Sequence, residues 1–321
     1  MHDVVRMAEL AVAGALERAG RVVLAVSGGR DSMVLLALAA RVAPERVAGV
    51  ATFDHGTGDH ASQAVTLVDR TARELGFTCW MGHAGGLLES EESWRVARWG
   101  FLRRVSREAC ATVATAHTLD DHLETVLHRV LRGSGTRGLA GLLANGGPVR
   151  PLIDLRRAQV SGIAGALELA HLEDPSNSTM RFFRNRIRHE LLPALRSANP
   201  GIEEALLDAS RRAAGWRGEV ETLADGIGEV SMSSGDDLCV AVGEMSGYSR
   251  EELGVLWPAL AARGGAVLDR RGTVRLAEFT IKGRPGQCIQ LSGGWEVRRE
   301  RERFALRRSS AVRRSNAAPA P

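Results

Sequence analysis

The chain has a single lysine, Lys282, among its 321 residues, and its other cationic side chains are arginine or histidine. A Walker-type phosphate loop needs Gly-Lys-Ser/Thr, and a covalent lysyl-adenylate mechanism needs a lysine near the nucleotide. Lys282 lies far from the glycine-rich loop near the start of the chain, so the sequence argues against both. Arginine suits bidentate contacts with phosphate, but its use here fits a lysine-poor genome composition equally well.

Cysteine is scarce, and the cysteines are far apart. Cys79, Cys110, Cys239 and Cys288 form no Cys-x-x-Cys pair, which argues against a disulfide framework, a zinc site and an iron–sulfur cluster. No apolar run reaches the roughly 18 residues that a membrane-spanning helix needs. The first residues lack the basic and apolar parts of a signal peptide. These absences predict a cytoplasmic protein that has no membrane association.

The net charge is only modestly basic, at +4 with a sequence pI of about 9.3. This balance permits an acidic partner without requiring one. The length is sufficient for two or three domains. We predict the following division: a catalytic domain at 1–200, a mainly helical linker or RNA-binding region at 201–283, a small β-hairpin part at 284–308, and a disordered tail at 309–321.

Strands and helices alternate over the first 132 residues. We predict strands at 22–26, 47–53, 78–81 and 111–116, and helices at 4–19, 31–42, 60–75, 90–109 and 119–132. This alternation predicts an α/β fold with a doubly wound parallel sheet, whose ligands bind beyond the carboxyl ends of the strands. Polar clusters follow three of the strands, at Ser27–Ser32, Asp54–Gly56 and His117–Glu124.

The pattern changes after residue 200. We predict a helix at 156–170 before this point, then helices at 201–225, 249–263 and 273–282, a linker at 226–237, and two strands within 287–308 around Ser292-Gly293-Gly294. The chain is therefore expected to continue into a helical middle region and a small α+β C-terminal domain.

The first predicted strand is followed by Ser27-Gly28-Gly29-Arg30-Asp31-Ser32. Glycines let backbone N–H groups approach an oxyanion closely, and the helix that follows adds unpaired N–H donors and partial positive charge. The hydroxyls of Ser27 and Ser32 add further donors, and Asp31 is a candidate ligand for Mg²⁺. The third glycine of the dinucleotide fingerprint is missing. The run predicts a binding site for the phosphates of ATP, because it resembles the loop of the ATP pyrophosphatases.

Three acidic residues, Asp120, Asp121 and Glu124, lie on the helix predicted at 119–132, just after His117. Acidic residues in the first turn stabilise a helix by about 0.3–1 kcal/mol each through its dipole. This effect accounts for Asp120 and Asp121 better than for Glu124. The functional alternative is that the carboxylates hold Mg²⁺ or a substrate ammonium. The spacing predicts that the buried stripe lies on another face and consists of Leu119, Leu123, Val126, Leu127, Val130 and Leu131.

Two arginine-rich segments are candidate contacts for phosphate or RNA. The first is 181–189, where arginines alternate with Phe182 and Phe183, and the second belongs to the helix predicted at 90–109. The alternative for each segment is a solvated basic face over core aromatics. The predicted phosphate- or RNA-binding residues are Arg184, Arg186, Arg188, Arg95 and Arg98.

Several blocks, taken in order, make the chain resemble the tRNA(Ile)-lysidine synthetases. They are Ser27–Ser32, Asp54–Gly56, Ala116–Thr125, Leu131–Leu139, Arg150–Asp154, Glu173–Asn177 and Arg184–Pro193. The first block is shared by the wider group of PP-loop ATP pyrophosphatases, and the last two are more specific. The resemblance covers about the first 200 residues and implies an adenine nucleotide alpha hydrolase-like fold.

The resemblance also implies a reaction. ATP with Mg²⁺ adenylates the C2 oxygen of the wobble cytidine in a tRNA(Ile) with a CAU anticodon, and free L-lysine then displaces AMP to form lysidine. Ser27–Ser32, Arg30 included, would bind ATP, and Asp121 and Glu124 would bind lysine. Asp31, Asp121 and Glu124 would be catalytic with His117 in support, and the metal would lie at Asp31 or Asp120. The sequence does not decide between a monomer and a homodimer.

Three other functions remain open from the sequence. The first is another PP-loop enzyme that modifies tRNA, such as one that inserts sulfur. The second is an enzyme that adenylates a small metabolite, which would have no use for the arginine-rich helix. The third is a nucleotide- or RNA-binding module without activity, which would not require carboxylates clustered beside an anion site.

Overall fold

The structure is a computed structural model, and it describes residues 2–56, 58–84, 91–173, 183–228, 230–232 and 237–309. The chain forms two compact units, one of residues 1–131 with 141–208 and the other of residues 132–140 with 209–321. The predicted tail, apart from residue 309, lies outside the described residues, and so do Arg181, Phe182 and most of the Glu173–Asn177 block.

The first unit begins with alternating helices and strands, as predicted. They are α1 (His2–Ala19), β1 (Val22–Ala25), α2 (Arg30–Val42), β2 (Val47–Asp54), α3 (Asp59–Glu74), β3 (Cys79–His83), α4 (Glu91–Glu108), β4 (Thr112–Thr115) and α5 (Leu119–Leu131). Every boundary lies within about two residues of the prediction, the accuracy that strong local patterns allow. These elements confirm the alternation predicted from the sequence.

Shorter helices follow α5. They are α6 (Thr136–Leu139), α7 (Arg157–Ala166), α8 (Phe183–Arg186) and α9 (Leu192–Ala198), with a π-helical turn at Ile187–Leu191 between the last two, and then the long α10 (Ile202–Asp225). The helix predicted at 156–170 therefore ends early, at Ala166.

The strands form a parallel sheet in the order β3-β2-β1-β4. The chain moves outward from β1 to β2 and β3, and then returns to place β4 on the other side of β1. The direction of winding therefore reverses between β1 and β4. Such a switch point opens a crevice at the carboxyl ends of the two strands, where ligands of doubly wound sheets bind.

Helices cover both faces of this sheet, and β1 shows why. Val22 and Leu24 pack into the cluster formed with α1, α2 and α7, whereas Val23 packs with α4 on the other face. Successive side chains of a strand point to opposite faces, so a run of apolar residues is needed where both faces are buried. The doubly wound α/β fold predicted from the sequence is confirmed.

Helix α5 corrects the prediction of its buried stripe. Val130 and Leu131 are 45% and 51% exposed, whereas Asp121 and Glu124 are buried. The charged side chains face inward because arginines from other elements meet them there, as described below. Hydrophobic spacing alone cannot show such partners, since it assumes that charged residues face water.

The second unit contains α11 (Arg250–Arg263), α12 (Arg270–Lys282) and an antiparallel sheet. The sheet has the order β5-β6-β9-β8-β7, with β5 (Val230–Met232), β6 (Leu238–Ala241), β7 (Cys288–Leu291), β8 (Trp295–Arg299) and β9 (Arg303–Arg308). Trp257 of α11 and Phe304 of β9 meet edge to face at 5.7 Å in a core that the helices and the sheet share.

Three predictions for this unit are wrong in detail. Val230–Met232 form a strand rather than part of a linker, and 287–308 contains three strands rather than two. Helix α12 begins at Arg270, before the predicted start at 273, because the Asp269 carboxylate accepts a hydrogen bond from the N–H of Gly272 and caps the helix. Within the described ranges, no helix is both long and apolar enough to cross a bilayer.

Candidate active site

The glycine-rich loop after β1 is held in one conformation by its own hydrogen bonds. The hydroxyl of Ser32 donates to the carbonyl of Gly29 at 2.7 Å and accepts from the N–H of Ser27 at 3.1 Å. Gly28 has a φ of +81°, and a Cβ there would lie 3.0 Å from the Cβ of Ala64. A side chain at Gly28 would therefore be strained in its backbone conformation and crowded against Ala64.

The N-terminus of α2 points out of this loop. Gly29 occupies the N-cap position and supplies no side chain to the first N–H groups of the helix. Unpaired N–H groups at a helix start, next to a glycine turn, form an anion site. This geometry supports the predicted binding of phosphate at Ser27–Ser32.

Asp31 presents a partly buried carboxylate to the same loop. Its Oδ1 is buried and has no hydrogen-bond partner among the described residues, although Nε of Arg30 approaches to 3.5 Å. Burial and the charge of Asp121 raise the pKa of the Asp31 carboxyl. A buried carboxylate oxygen that lacks a donor fits a divalent cation. In the described part of the chain no three candidate metal ligands converge, so phosphate oxygens and water would complete the shell of Mg²⁺.

Asp120, the second predicted metal ligand, is engaged differently. Its Oδ2 accepts a hydrogen bond from the backbone N–H of Arg157 at 2.7 Å. Its Oδ1 lies 3.7 Å from guanidinium nitrogens of both Arg156 and Arg196. The carboxylate therefore caps α7 and pairs with arginines, and the structure does not support a metal at Asp120.

Asp54, at the end of β2, shapes the turn into α3. Its carboxylate accepts from the N–H of Gly56 at 2.7 Å and from the hydroxyl of Ser62 at 3.0 Å. These bonds give Asp54 a structural role at the edge of the crevice.

His117 follows β4 and is neutral at physiological pH. Its Nδ1 lies 2.8 Å from the hydroxyl of Thr115. Burial lowers the pKa of the imidazole to about 4, although the carboxylate of Asp121 opposes that shift. An imidazole with this pKa is a weak base but serves as a neutral hydrogen-bonding group.

The buried imidazole predicts a pH dependence of stability. Between pH 6.5 and about 4, the unfolded chain binds a proton at His117 and the native protein does not, so the free energy of unfolding falls as the pH falls. In a His117→Gln variant this contribution is absent, and its free energy of unfolding should fall less over the same range. Denaturant titrations at several pH values measure the difference. Parallel profiles for the two proteins would contradict it.

Glu124 lies at the centre of a buried ion cluster, with its side chain 1% exposed. Its Oε1 accepts from Nε of Arg188 at 2.7 Å and from Nη2 of Arg157 at 3.0 Å. Its Oε2 accepts from Nε of Arg184 at 3.0 Å and from Nη2 of Arg188 at 3.1 Å. Three guanidiniums therefore surround one carboxylate.

Asp121 lies one helical turn earlier and accepts hydrogen bonds from two of these arginines, while Nη2 of Arg188 lies 3.6 Å from its Oδ1. Its Oδ1 accepts from Nη2 of Arg184 at 3.0 Å and from Nη2 of Arg157 at 3.1 Å. Its Oδ2 accepts from the N–H and the hydroxyl of Thr118, at 2.8 and 2.9 Å. Burial acts to raise the pKa of Asp121, but Arg184, the Thr118 N–H and Arg157 outweigh it and the pKa is lowered. Asp121 is thus held as a carboxylate.

The predicted phosphate-binding arginines separate into different environments. Arg184 and Arg188 contact the carboxylates, whereas the exposed Arg186 lies 3.4 Å from Glu190. Arg95 is exposed. Arg98 is partly buried. Its Nε is buried and has no hydrogen-bond partner among the residues described. Burial, together with the charges of Arg95 and Arg184, lowers the pKa of Arg98. An anion near Arg98 would relieve this repulsion.

Sequence reasoning missed Arg157, which joins Asp121 and Glu124 through a single nitrogen. Its position at the start of α7 suggested only a helix entry. Its partners lie more than 30 residues away in sequence, and no local pattern connects them. The Glu173–Asn177 block cannot be placed in the site, because residues 174–177 lie outside the described residues.

Comparisons with known proteins show the family to which the chain belongs. A family model for the PP-loop domain matches residues 2–195. The tRNA(Ile)-lysidine synthase of Salinispora arenicola is 34% identical over 309 residues, which cover 91% of this chain and 92% of that protein. The enzyme of the same name from Bradyrhizobium sp. is 38% identical over 229 residues, or 64% of this chain and 61% of that protein.

Coverage of the relatives varies. The tRNA(Ile)-lysidine synthase of Thermosipho africanus is 35% identical over 203 residues, 60% of this chain but only 48% of that protein. The chain therefore spans 48% to 61% of two of these relatives and 92% of the Salinispora protein. Among solved structures, the U34-tRNA thiolase NcsA from Methanococcus maripaludis with its [4Fe-4S] cluster has a TM-score of 0.56 at 20% identity, covering 67% of this chain and 81% of that one. This likeness shows the fold alone.

Proposed function

Because the chain belongs to the tRNA(Ile)-lysidine synthase family, we propose that it joins free L-lysine to C2 of the wobble cytidine in a tRNA(Ile) with a CAU anticodon, using ATP. The observation that carries the proposal is the buried pair Asp121 and Glu124, which follows β4 at the switch point, while the loop at Ser27–Ser32 follows β1 at the same crevice. The proposed phosphate site and the proposed ammonium site therefore lie at the same crevice.

In the first step, the C2 oxygen of the cytidine attacks the α-phosphorus of ATP and pyrophosphate leaves. The N–H groups of the turn at Gly28–Asp31 hold the phosphates in place and offset their charge. Asp31 would hold Mg²⁺, which supplies further neutralisation of charge on the phosphates. Adenylation converts a poor leaving group, the carbonyl oxygen, into AMP, which departs readily.

In the second step, the ε-amine of lysine attacks C2, AMP leaves with the C2 oxygen, and the proton of the attacking amine passes to solvent. An amine must be unprotonated to attack, so Asp121 and Glu124 serve the α-ammonium and thereby orient the ε-amine. His117, neutral at the end of β4, contributes hydrogen bonding rather than proton removal, since its pKa of about 4 makes it a weak base.

The cysteines disfavour the alternative of sulfur insertion. Cys79 lies in β3 and Cys110 follows α4, whereas Cys239 and Cys288 belong to the second unit. All are free thiols, and no two have the spacing of a Cys-x-x-Cys pair. The remaining distinction, between a tRNA and a small metabolite as substrate, requires an assay.

The purified protein should incorporate labelled lysine into a CAU-anticodon tRNA(Ile) with release of one AMP and one pyrophosphate for each lysine. A tRNA with a CAU anticodon that carries methionine is the matched substrate control and should remain unmodified. Asp121→Asn should abolish incorporation, because a neutral amide does not bind an ammonium strongly. Release of AMP without any gain of lysine mass on the tRNA would contradict the proposal.

A further inference from the structure

The hydrogen-bond acceptors of the carboxylate pair are fully occupied. Each of the oxygens of Asp121 and Glu124 accepts two hydrogen bonds, from Thr118 or from the three arginines. A carboxylate has about four lone-pair sites in all. An ammonium group therefore cannot bind here unless one donor leaves, and the proposed function requires an ammonium at this place.

Arg184 is the donor whose departure opens the site. Its Nη2 and Nε bridge Oδ1 of Asp121 and Oε2 of Glu124, both at 3.0 Å. These two bonds match what one ammonium would make to the two carboxylates. Three arginines and two carboxylates leave an excess of one positive charge, and exchange of Arg184 for an ammonium leaves that charge unchanged.

The other two arginines are held more firmly. The backbone N–H of Arg157 is fixed on Asp120, and Arg188 binds both oxygens of Glu124. Their side chains are 23% and 22% exposed, whereas that of Arg184 is 42% exposed. Arg184 is therefore the guanidinium with the most direct path to solvent.

An anion nearby could bind Arg184 after it leaves the carboxylates. Arg184 lies near enough to Arg98 and His117 for its charge to contribute to the lowered pKa of both groups. The buried Nε of Arg98 has no hydrogen-bond partner in the described part of the chain. Positive charge is thus in surplus on the side where phosphate is expected, and a phosphate binds a guanidinium bidentately.

We propose that Arg184 occupies the place of the substrate ammonium until a phosphate group of the nucleotide or of the tRNA binds it, so that phosphate binding opens the carboxylate pair to lysine. The inference rests on the proposed function and adds an order of binding to it. Coupling between two ligands is commonly five- to 150-fold in affinity and is reciprocal. Lysine should therefore raise the affinity of the phosphate ligand by the same factor.

Equilibrium dialysis of labelled lysine tests the exchange in four conditions. They are the protein alone, the protein with a non-hydrolysable ATP analogue, with a CAU-anticodon tRNA(Ile), and with both. Lysine should bind roughly five- to 150-fold more tightly once the phosphate that takes Arg184 is present. A rise with the analogue alone identifies the nucleotide as the source, and a rise that needs tRNA identifies the RNA backbone.

Variants separate Arg184 from its neighbours. Arg184→Gln should bind lysine tightly without any phosphate ligand and should show less than about twofold coupling. Arg188→Gln frees acceptors on Glu124 but leaves both oxygens of Asp121 occupied, so it should keep more of the coupling than Arg184→Gln does. Arg41→Gln, which removes a partner of Glu9 at 3.0 Å, is the surface control.

Equal lysine affinity in all four conditions, or coupling that survives in Arg184→Gln, would overturn the exchange. If Arg184→Gln does not fold, the reciprocal measurement on the unaltered protein decides, and the lack of any effect of lysine on the affinity of the analogue and of the tRNA overturns the exchange. Lysidine formation without coupling would leave the proposed function intact. Failure of lysine to bind in every condition would count against both.

Discussion

A Glu124→Gln variant is expected to lose about 3–5 kcal/mol of its free energy of unfolding, because the change leaves buried guanidiniums without their counter-ion. Glu124 is 1% exposed and accepts four hydrogen bonds from Arg157, Arg184 and Arg188. A neutral amide also turns one acceptor into a donor that faces these cations. The expected loss is a large part of the 5–15 kcal/mol that a typical domain has.

Glu190→Gln is the matched control for this prediction. Glu190 pairs with Arg186 on the same helical segment, but both side chains are more than half exposed. A surface pair of this kind contributes roughly 0.3–0.5 kcal/mol. Urea titrations of the two variants should therefore separate them clearly. Similar free energies of unfolding would mean that the cluster around Glu124 is not buried as described.

An Asp31→Asn variant is expected to release pyrophosphate from ATP at least about 100-fold more slowly, since a metal that polarises phosphoryl oxygens contributes several kcal/mol. The free energy of unfolding should not fall together with the rate. Burial and Asp121 raise the pKa of Asp31, so the ionised carboxyl is disfavoured in the native state, and the neutral amide should not lower the free energy of unfolding at pH 7.

Asp120→Asn provides the comparison for the metal assignment. It removes charge from the cap of α7 and from the pairs with Arg156 and Arg196, so it should lower stability without changing the Mg²⁺ concentration that gives half-maximal pyrophosphate release. Titration of Mg²⁺ for both variants measures this. A weakened response to Mg²⁺ in Asp120→Asn, with a normal one in Asp31→Asn, would reverse the assignment.

The first unit could be predicted closely from the sequence because its signals are local. The β-branched run at Val22–Ala25 predicts a buried strand, and Ser27–Ser32 predicts a turn into a helix. The alternation does not give the strand order, because doubly wound folds occur with more than one order. The same local signals predict three polar clusters at the carboxyl ends of the parallel strands, and the structure places them there.

The composition of the ion cluster could not be predicted. The partners of Glu124 lie 33, 60 and 64 residues away, so no helical or strand period relates them. Arg184 and Arg188 are predicted to contact phosphate or RNA, but they bind carboxylates. The spacing of charged residues in a sequence does not show the sign of the charge that each residue meets in the fold. The short strand β5 could not be predicted for a related reason, because it depends on pairing with β6.

Determination of a crystal structure with a bound non-hydrolysable ATP analogue tests the central claim most directly. We expect the phosphates to lie against the N–H groups of Gly28–Asp31, with the carboxyl of Asp31 facing them and with Asp121 and Glu124 beside the α-phosphate. A nucleotide seated elsewhere, with the loop after β1 empty, would contradict the account.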